Sequence, residues 1–162
     1  MTEFEVLYRR YAPDVRRFVV YLSGNFALAD DITSETFIRV WTEREHLRVA
    51  TVKAYLFTIA RNLYLNGRRA AARHATLDDT LADARPDSLS IAEGRDELRT
   101  VLYALQQLPD ADRAAVLMRA QDGLPYDEIA GVLGLSVSAV KVKVHRARRY
   151  LAAQRHKQEE TP

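Results

Sequence analysis

Apolar residues recur at intervals of three and four along most of the chain, and no segment alternates with period two over a useful length. A helix buries one stripe in that way, whereas a half-buried strand needs strict alternation, so the sequence predicts an all-α fold. The first helix is expected from about Glu3 to Leu22, with Phe4, Leu7, Tyr8, Tyr11, Val15, Phe18, Val19 and Leu22 as its stripe and Ser23-Gly24-Asn25 as its stop. A second is expected from about Ala27 to Arg44, with Ile32, Phe37, Val40 and Trp41 inward and Asp30, Asp31, Glu35 and Arg39 outward. After a loop, Glu45 to Ala50, Thr51 is placed to cap a third helix that carries Leu56, Ile59, Ala60 and Leu63 on one face and ends in Arg68-Arg69.

From His74 to about Ala92 this pattern lapses into Asp, Ser, Ala and a proline with scattered leucines, the composition of a flexible linker without a core of its own. Two small helical domains are therefore predicted, residues 1–74 and 93–157, joined by an acidic linker, residues 75–92. The second domain opens with Leu98, Val101, Leu102 and Leu105 and pauses at Leu108-Pro109. Three further helices are expected in it. One starts at Asp110 and buries Ala114, Leu117 and Met118, the next runs from Tyr126 to Leu133, and the last follows Gly134-Leu135-Ser136 and reaches past Leu151.

The net charge of +2 says little, but its distribution is uneven. Thr51 to Leu77 holds Lys53, Arg61, Arg68, Arg69 and Arg73 with no acid; Asp78 to Leu98 holds seven acids against Arg85 and Arg95; Ser136 to Lys157 holds Lys141, Lys143, Arg146, Arg148, Arg149, Arg155 and Lys157 with no acid. Two cationic runs flanking an anionic connector point to a nucleic-acid partner, against the plainer reading of solvated helix faces. There are no cysteines, so disulfides and thiolate metal sites are excluded, and His46, His74, His145 and His156 lack metal-ligand spacing. No metal or other cofactor is predicted. The longest apolar runs are too short to span a bilayer and the acidic start does not fit a signal peptide, which predicts an intracellular, cytoplasmic protein without membrane insertion.

The run from Tyr126 to Leu151 fits a helix-turn-helix. Ala130 falls where two helices cross closely, Gly134 where the turn requires positive φ, Ser136 where the last helix needs a cap, and Val140 returns an apolar side chain to the same core. At about 100° per residue, Val140, Val144, Ala147 and Leu151 share a stripe, leaving Ser138, Val142, His145 and Arg149 opposite, with Lys141 and Arg146 on the flanks. Such a face suits the major groove, where cations reach guanine or phosphate and an exposed valine packs on a thymine methyl. The earlier basic run interleaves Tyr55, Phe57 and Tyr64 with Lys53, Arg61, Arg68 and Arg69, and Asn62 and Asn66 add amides able to read base edges. Rings among cations can support unstacked bases. Periodicity alone, however, favours core for Tyr55 and Phe57.

Asp30-Asp31-Ile32-Thr33-Ser34-Glu35-Thr36-Phe37-Ile38-Arg39-Val40-Trp41, then Tyr55-Leu56-Phe57-Thr58-Ile59-Ala60-Arg61-Asn62, then Leu108-Pro109 and His145-Arg146-Ala147-Arg148-Arg149-Tyr150-Leu151 form a pattern. In this order they resemble the extracytoplasmic-function (ECF) sigma factors of the sigma-70 family, which carry sigma regions 2 and 4. The resemblance implies a non-enzymatic initiation factor whose partners are core RNA polymerase, through the beta-prime clamp helices and the beta flap, promoter DNA, and commonly an anti-sigma factor. It implies polymerase binding through Asp31, Glu35 and Arg39. It also implies -10 recognition through Arg61, Asn62, Asn66, Arg68 and Arg69, with Asn62 near a flipped-base pocket. Recognition of the -35 element would use Ser138, Lys141, Val142, Lys143, His145, Arg146 and Arg149. Ser34 stands where the family often has Gln, which makes the polymerase contact less typical; Asn66 replaces a frequent Asp; Val142 and Lys143 stand where the recognition helix commonly has Ser and Arg, so base contacts and promoter sequence are not transferable. The rival reading is a polymerase-independent helix-turn-helix regulator; a DNA-acting enzyme finds no serine with a paired base and no phosphate loop. Replacing Lys141, Lys143 and Arg146 together with alanine is expected to abolish -35-dependent transcription with the fold intact.

Overall fold

The computed structural model describes residues 1–43, 51–75 and 96–160, and every described element is helical. The loop from Glu45 to Ala50 and the predicted linker beyond Ala75 lie outside the described residues. Helix α1 spans Glu3–Ser23, α2 Phe26–Glu43 and α3 Val52–Ala75, and the three pack as one bundle. The second bundle comprises α4 (Asp96–Gln106), α5 (Asp110–Val116), α6 (Tyr126–Leu133) and α7 (Val137–Glu159). Between α5 and α6 the chain widens into a π-helical turn, Leu117–Gln121, which the sequence did not signal.

Local chemistry sets most of the boundaries. Thr2 caps α1 by accepting from Glu5 N–H, and Gly24, at φ 69°, closes it in the left-handed conformation. Thr51 Oγ1 accepts from Ala54 N–H at 3.2 Å and starts α3, as the sequence predicts. In the helix-turn-helix, Gly134 sits at φ 66° with its N–H bonded to Ala130 O, and Ser136 caps α7 through Ala139 N–H at 3.1 Å. A Cβ built on Gly134 meets nothing within 4 Å, so the backbone conformation alone demands glycine there. Gly134→Ala is expected to cost about 1–2 kcal/mol in urea unfolding, without altering the helical content of the folded state.

The core follows the predicted stripes with three departures. Val15, Phe18, Val19 and Leu22 of α1, Ile32, Phe37 and Val40 of α2, and Leu56 and Ala60 of α3 are buried. Trp41, expected inside, is 47% exposed and rests edge-on against Phe4 at 4.8 Å. Tyr8, in the predicted stripe of α1, is likewise exposed, its ring edge-on to Phe37. Val101 of α4 also faces outward, while Leu102 and Leu105 carry the contact. Position on a stripe fixes an angle; how far a neighbouring element extends over that angle is set by tertiary packing.

The two bundles are in direct contact. Helix α1 has no basic residue in its last turn to meet the negative end of its dipole. The other bundle supplies the missing groups. Arg113 of α5 donates to Leu22 O at 2.8 Å, and Gln106 of α4 donates to Leu22 O and Tyr21 O at 3.3 and 3.4 Å. Nearby, Arg17 and Lys53 converge on the buried carboxylate of Asp122, and Thr51 donates to Glu128 Oε2. Burial raises the Asp122 carboxyl above its ordinary value, outweighing the opposing charges of Lys53 and Arg17.

Candidate nucleic-acid interface

Helix α7 presents the second basic run as the sequence predicts. Val140, Val144 and Ala147 are buried, while Ser138, Lys141, Val142, His145 and Arg149 are exposed, Val142 at 60%. Lys141 Nζ lies 5.6 Å from the Tyr126 ring centroid, and Arg119 stacks on the same ring at 4.2 Å, so α6 and the π-turn add a cation–π pair beside α7.

Lys143 and Arg146 stand apart from the other five. Arg146 is bound side-on by Asp112 of α5, Nε to Oδ2 at 2.7 Å and Nη2 to Oδ1 at 3.0 Å, and Lys143 Nζ lies 3.5 Å from Oδ1. The Asp112 side chain is fully buried. Burial pushes its carboxyl up, but the hydrogen bonds and charges of Arg146 and Lys143 outweigh this and hold it below the usual carboxylate value. The triple replacement of Lys141, Lys143 and Arg146 would therefore strip both partners from a buried carboxylate, so the expectation of an intact fold is corrected.

On α3, Asn62, Asn66, Arg68 and Arg69 are exposed and Arg61 is half-buried. Burial lowers the Arg61 guanidinium from its usual value, against the charge of Asp110. Arg68 is paired with Asp110 of α5 and lies over the Tyr64 ring at 5.6 Å. Tyr64 itself is buried, its hydroxyl accepting from Arg113 at 3.3 Å. Phe57 is core: it is fully buried and stacked on Phe18 at 4.6 Å. Tyr55 is half-buried.

On α2, Asp31, Glu35 and Arg39 all face outward, Arg39 Nε lying 3.6 Å from Glu35 Oε1. Ile38 and Trp41 are exposed on the same helix, an apolar contribution that the sequence reading missed by placing Trp41 inside. Among the described residues no cluster of His, Asp and Glu is arranged to hold a metal, and no helix is long and apolar enough to cross a membrane.

A three-helix bundle followed by a helix-turn-helix bundle, each with an exposed basic helix, defines a two-module DNA-binding architecture. Family models for sigma-70 region 2 and sigma-70 region 4 match residues 7–74 and 98–151. The ECF RNA polymerase sigma factor SigE of Mycolicibacterium smegmatis is 33% identical over 156 residues, covering 93% of this chain and 61% of SigE. EcfG of Rhodopseudomonas palustris, also an ECF RNA polymerase sigma factor, is 31% identical, covering 87% of this chain and 78% of EcfG. The sigma factor RpoE from Bartonella quintana, solved with the anti-sigma factor NepR, has the same fold, with a TM-score of 0.81 at 24% identity over 95% of this chain and 97% of RpoE. The chain belongs to the ECF sigma factors of the sigma-70 family, which are transcription initiation factors and not enzymes.

Proposed function

We propose that this chain binds core RNA polymerase in the cytoplasm and directs promoter-specific initiation, with residues 1–74 acting as sigma region 2 and residues 93–157 as sigma region 4. The observation that carries this reading is the ordered pair of family matches, each containing an exposed basic helix. Asp31, Glu35 and Arg39, with Ile38 and Trp41 beside them, offer α2 as a mixed charged and apolar surface for the beta-prime clamp helices. Region 4 meets the beta flap.

Arg61, Asn62, Asn66, Arg68 and Arg69 of α3 read and hold the -10 element, where unstacking a base costs a few kcal/mol that the protein must offset. Arg68 reaches DNA by exchanging the Asp110 carboxylate for a phosphate. Ser138, Lys141, Val142, Lys143, His145, Arg146 and Arg149 of α7 read the -35 duplex. The anti-sigma factor bound to RpoE illustrates the class of inhibitor proposed here too.

The test is reconstitution: the full chain is mixed with bacterial core polymerase, assayed for co-elution, then for discrete transcripts from genomic fragments of the source organism. Lys141 and Arg149 are exposed, so Lys141→Ala with Arg149→Ala leaves the Asp112 pairs in place. The double variant is expected to cut -35-dependent transcription at least about tenfold, since one good bidentate base contact is worth about 1–3 kcal/mol of discrimination. Absence of polymerase binding, together with tight palindrome binding by the free chain, would replace this reading with a polymerase-independent regulator.

A further inference from the structure

We infer that Asp112 is a positioning residue for promoter reading: it fixes the Arg146 guanidinium side-on, so that its outer edge is presented to a base of the -35 element. This inference rests on the reading of α7 as the -35 helix. Asp112 lies on α5, outside the helix-turn-helix, and its carboxylate is fully buried behind α7. Its two oxygens take Nε and Nη2 of Arg146, at 2.7 and 3.0 Å. A guanidinium is planar and donates along two edges. With the Nε–Nη2 edge held, the Nη1–Nη2 edge remains available, and this is the edge that pairs bidentately with O6 and N7 of guanine.

Arg146 is still 57% exposed, so the clamp restrains the side chain without hiding it. An untethered arginine on a basic helix swings to whichever phosphate is nearest. One tethered from behind by a carboxylate keeps its direction, having already lost the rotamer freedom that base recognition would otherwise cost. Lys143 Nζ, 3.5 Å from the same carboxylate, supplies the second charge that keeps Asp112 ionised in its buried position.

The test uses holoenzyme reconstituted from the full chain and core polymerase, selecting from a pool of promoter duplexes randomised over the -35 element. The wild-type profile is expected to contain one position, a guanine, whose preference Arg146→Ala erases. Asp112→Asn is expected to weaken the preference at that position about tenfold and leave unchanged the positions read by residues other than Lys143 and Arg146. It is also expected to steepen the dependence of binding on salt, since released Lys143 and Arg146 neutralise additional phosphates. Combining Asp112→Asn with Arg146→Ala should cause no further loss at that position, because the carboxylate acts through the arginine. A purely structural Asp112 would weaken all positions alike, and that result overturns the inference, as does an unchanged profile in Asp112→Asn. If the wild type selects a -35 sequence that Arg146→Ala does not alter, the inference falls while the reading of α7 stands. If the wild type selects no upstream sequence, both fall.

Discussion

Arg113→Ala is expected to lower the stability of the folded chain by about 3–5 kcal/mol, among the largest effects of any single replacement here. The arginine is almost fully buried and its donors are distributed over acceptors from four helices, its own α5 included through Asp110, and a turn. Nε and Nη2 hold the carbonyls of Leu105 and Leu108 at 2.8 Å, at the carbonyl end of α4 and in the turn that follows. Nη1 holds Leu22 O of α1 and the Tyr64 hydroxyl of α3. Leu105 O keeps Leu108 N–H and Leu22 O keeps Gln106 Nε2, but a buried acceptor that loses its only donor costs about 1–3 kcal/mol, and Asp110 loses one of its cationic partners. Arg113→Lys is expected to recover only a minor part, since one ammonium on a flexible stem cannot span the acceptors that a planar fork reaches together. Urea unfolding followed by circular dichroism gives the comparison. A loss under 1 kcal/mol would mean that the turn and the α1 end find other donors. Small-angle scattering of the same variant is expected to show the two bundles still together, held by Gln106 on Leu22 O and Tyr21 O and by Arg17 and Lys53 on Asp122.

These interactions show where the sequence stops being informative. The helix-turn-helix was legible because its determinants are local: Ala130, Gly134, Ser136 and Val140 lie within eleven residues, and each answers a requirement of the turn or cap beside it. The caps at Thr51 and Ser136 were legible for the same reason. Asp112, Arg113 and Asp122 were not. In sequence each is a charged residue on a short helix or turn, indistinguishable from a solvated one. Their partners stand far along the chain, Asp112 with Arg146 34 residues away, Arg113 with Leu22 at 91 and Arg17 with Asp122 at 105. The family resemblance named the exposed faces of α2, α3 and α7, but not the carboxylate that holds Arg146 or the contact that engages Arg68 and covers Tyr64. Trp41 failed for a related reason. From its stripe the ring is expected inside, yet at this end of α2 it lies half in solvent, edge-on to Phe4 of α1.

Phe57 carries the other large expectation, because it separates two roles that composition leaves open. A ring among cations on a helix proposed to melt promoter DNA is what a base platform requires, and Lys53 Nζ does lie 5.9 Å from the Phe57 centroid. Yet a platform has to be open to a displaced base, and Phe57 is fully buried, parallel to Phe18 with 14° between ring planes. Phe57→Ala is therefore expected to cost about 3–5 kcal/mol in urea unfolding, through lost burial and a cavity between α1 and α3 that the bundle only partly closes. Phe57→Leu, which keeps most of the volume, should cost about 1–2 kcal/mol and retain promoter opening. Tyr55, half-buried on the same helix, is the contrasting case: Tyr55→Ala is expected to change stability less and opening more. Were Phe57→Ala to keep its stability while permanganate footprinting showed the -10 bases unmelted, the ring would belong to the DNA and not to the core. The stacking on Phe18 predicts the reverse, a protein that loses promoter opening only to the extent that it unfolds.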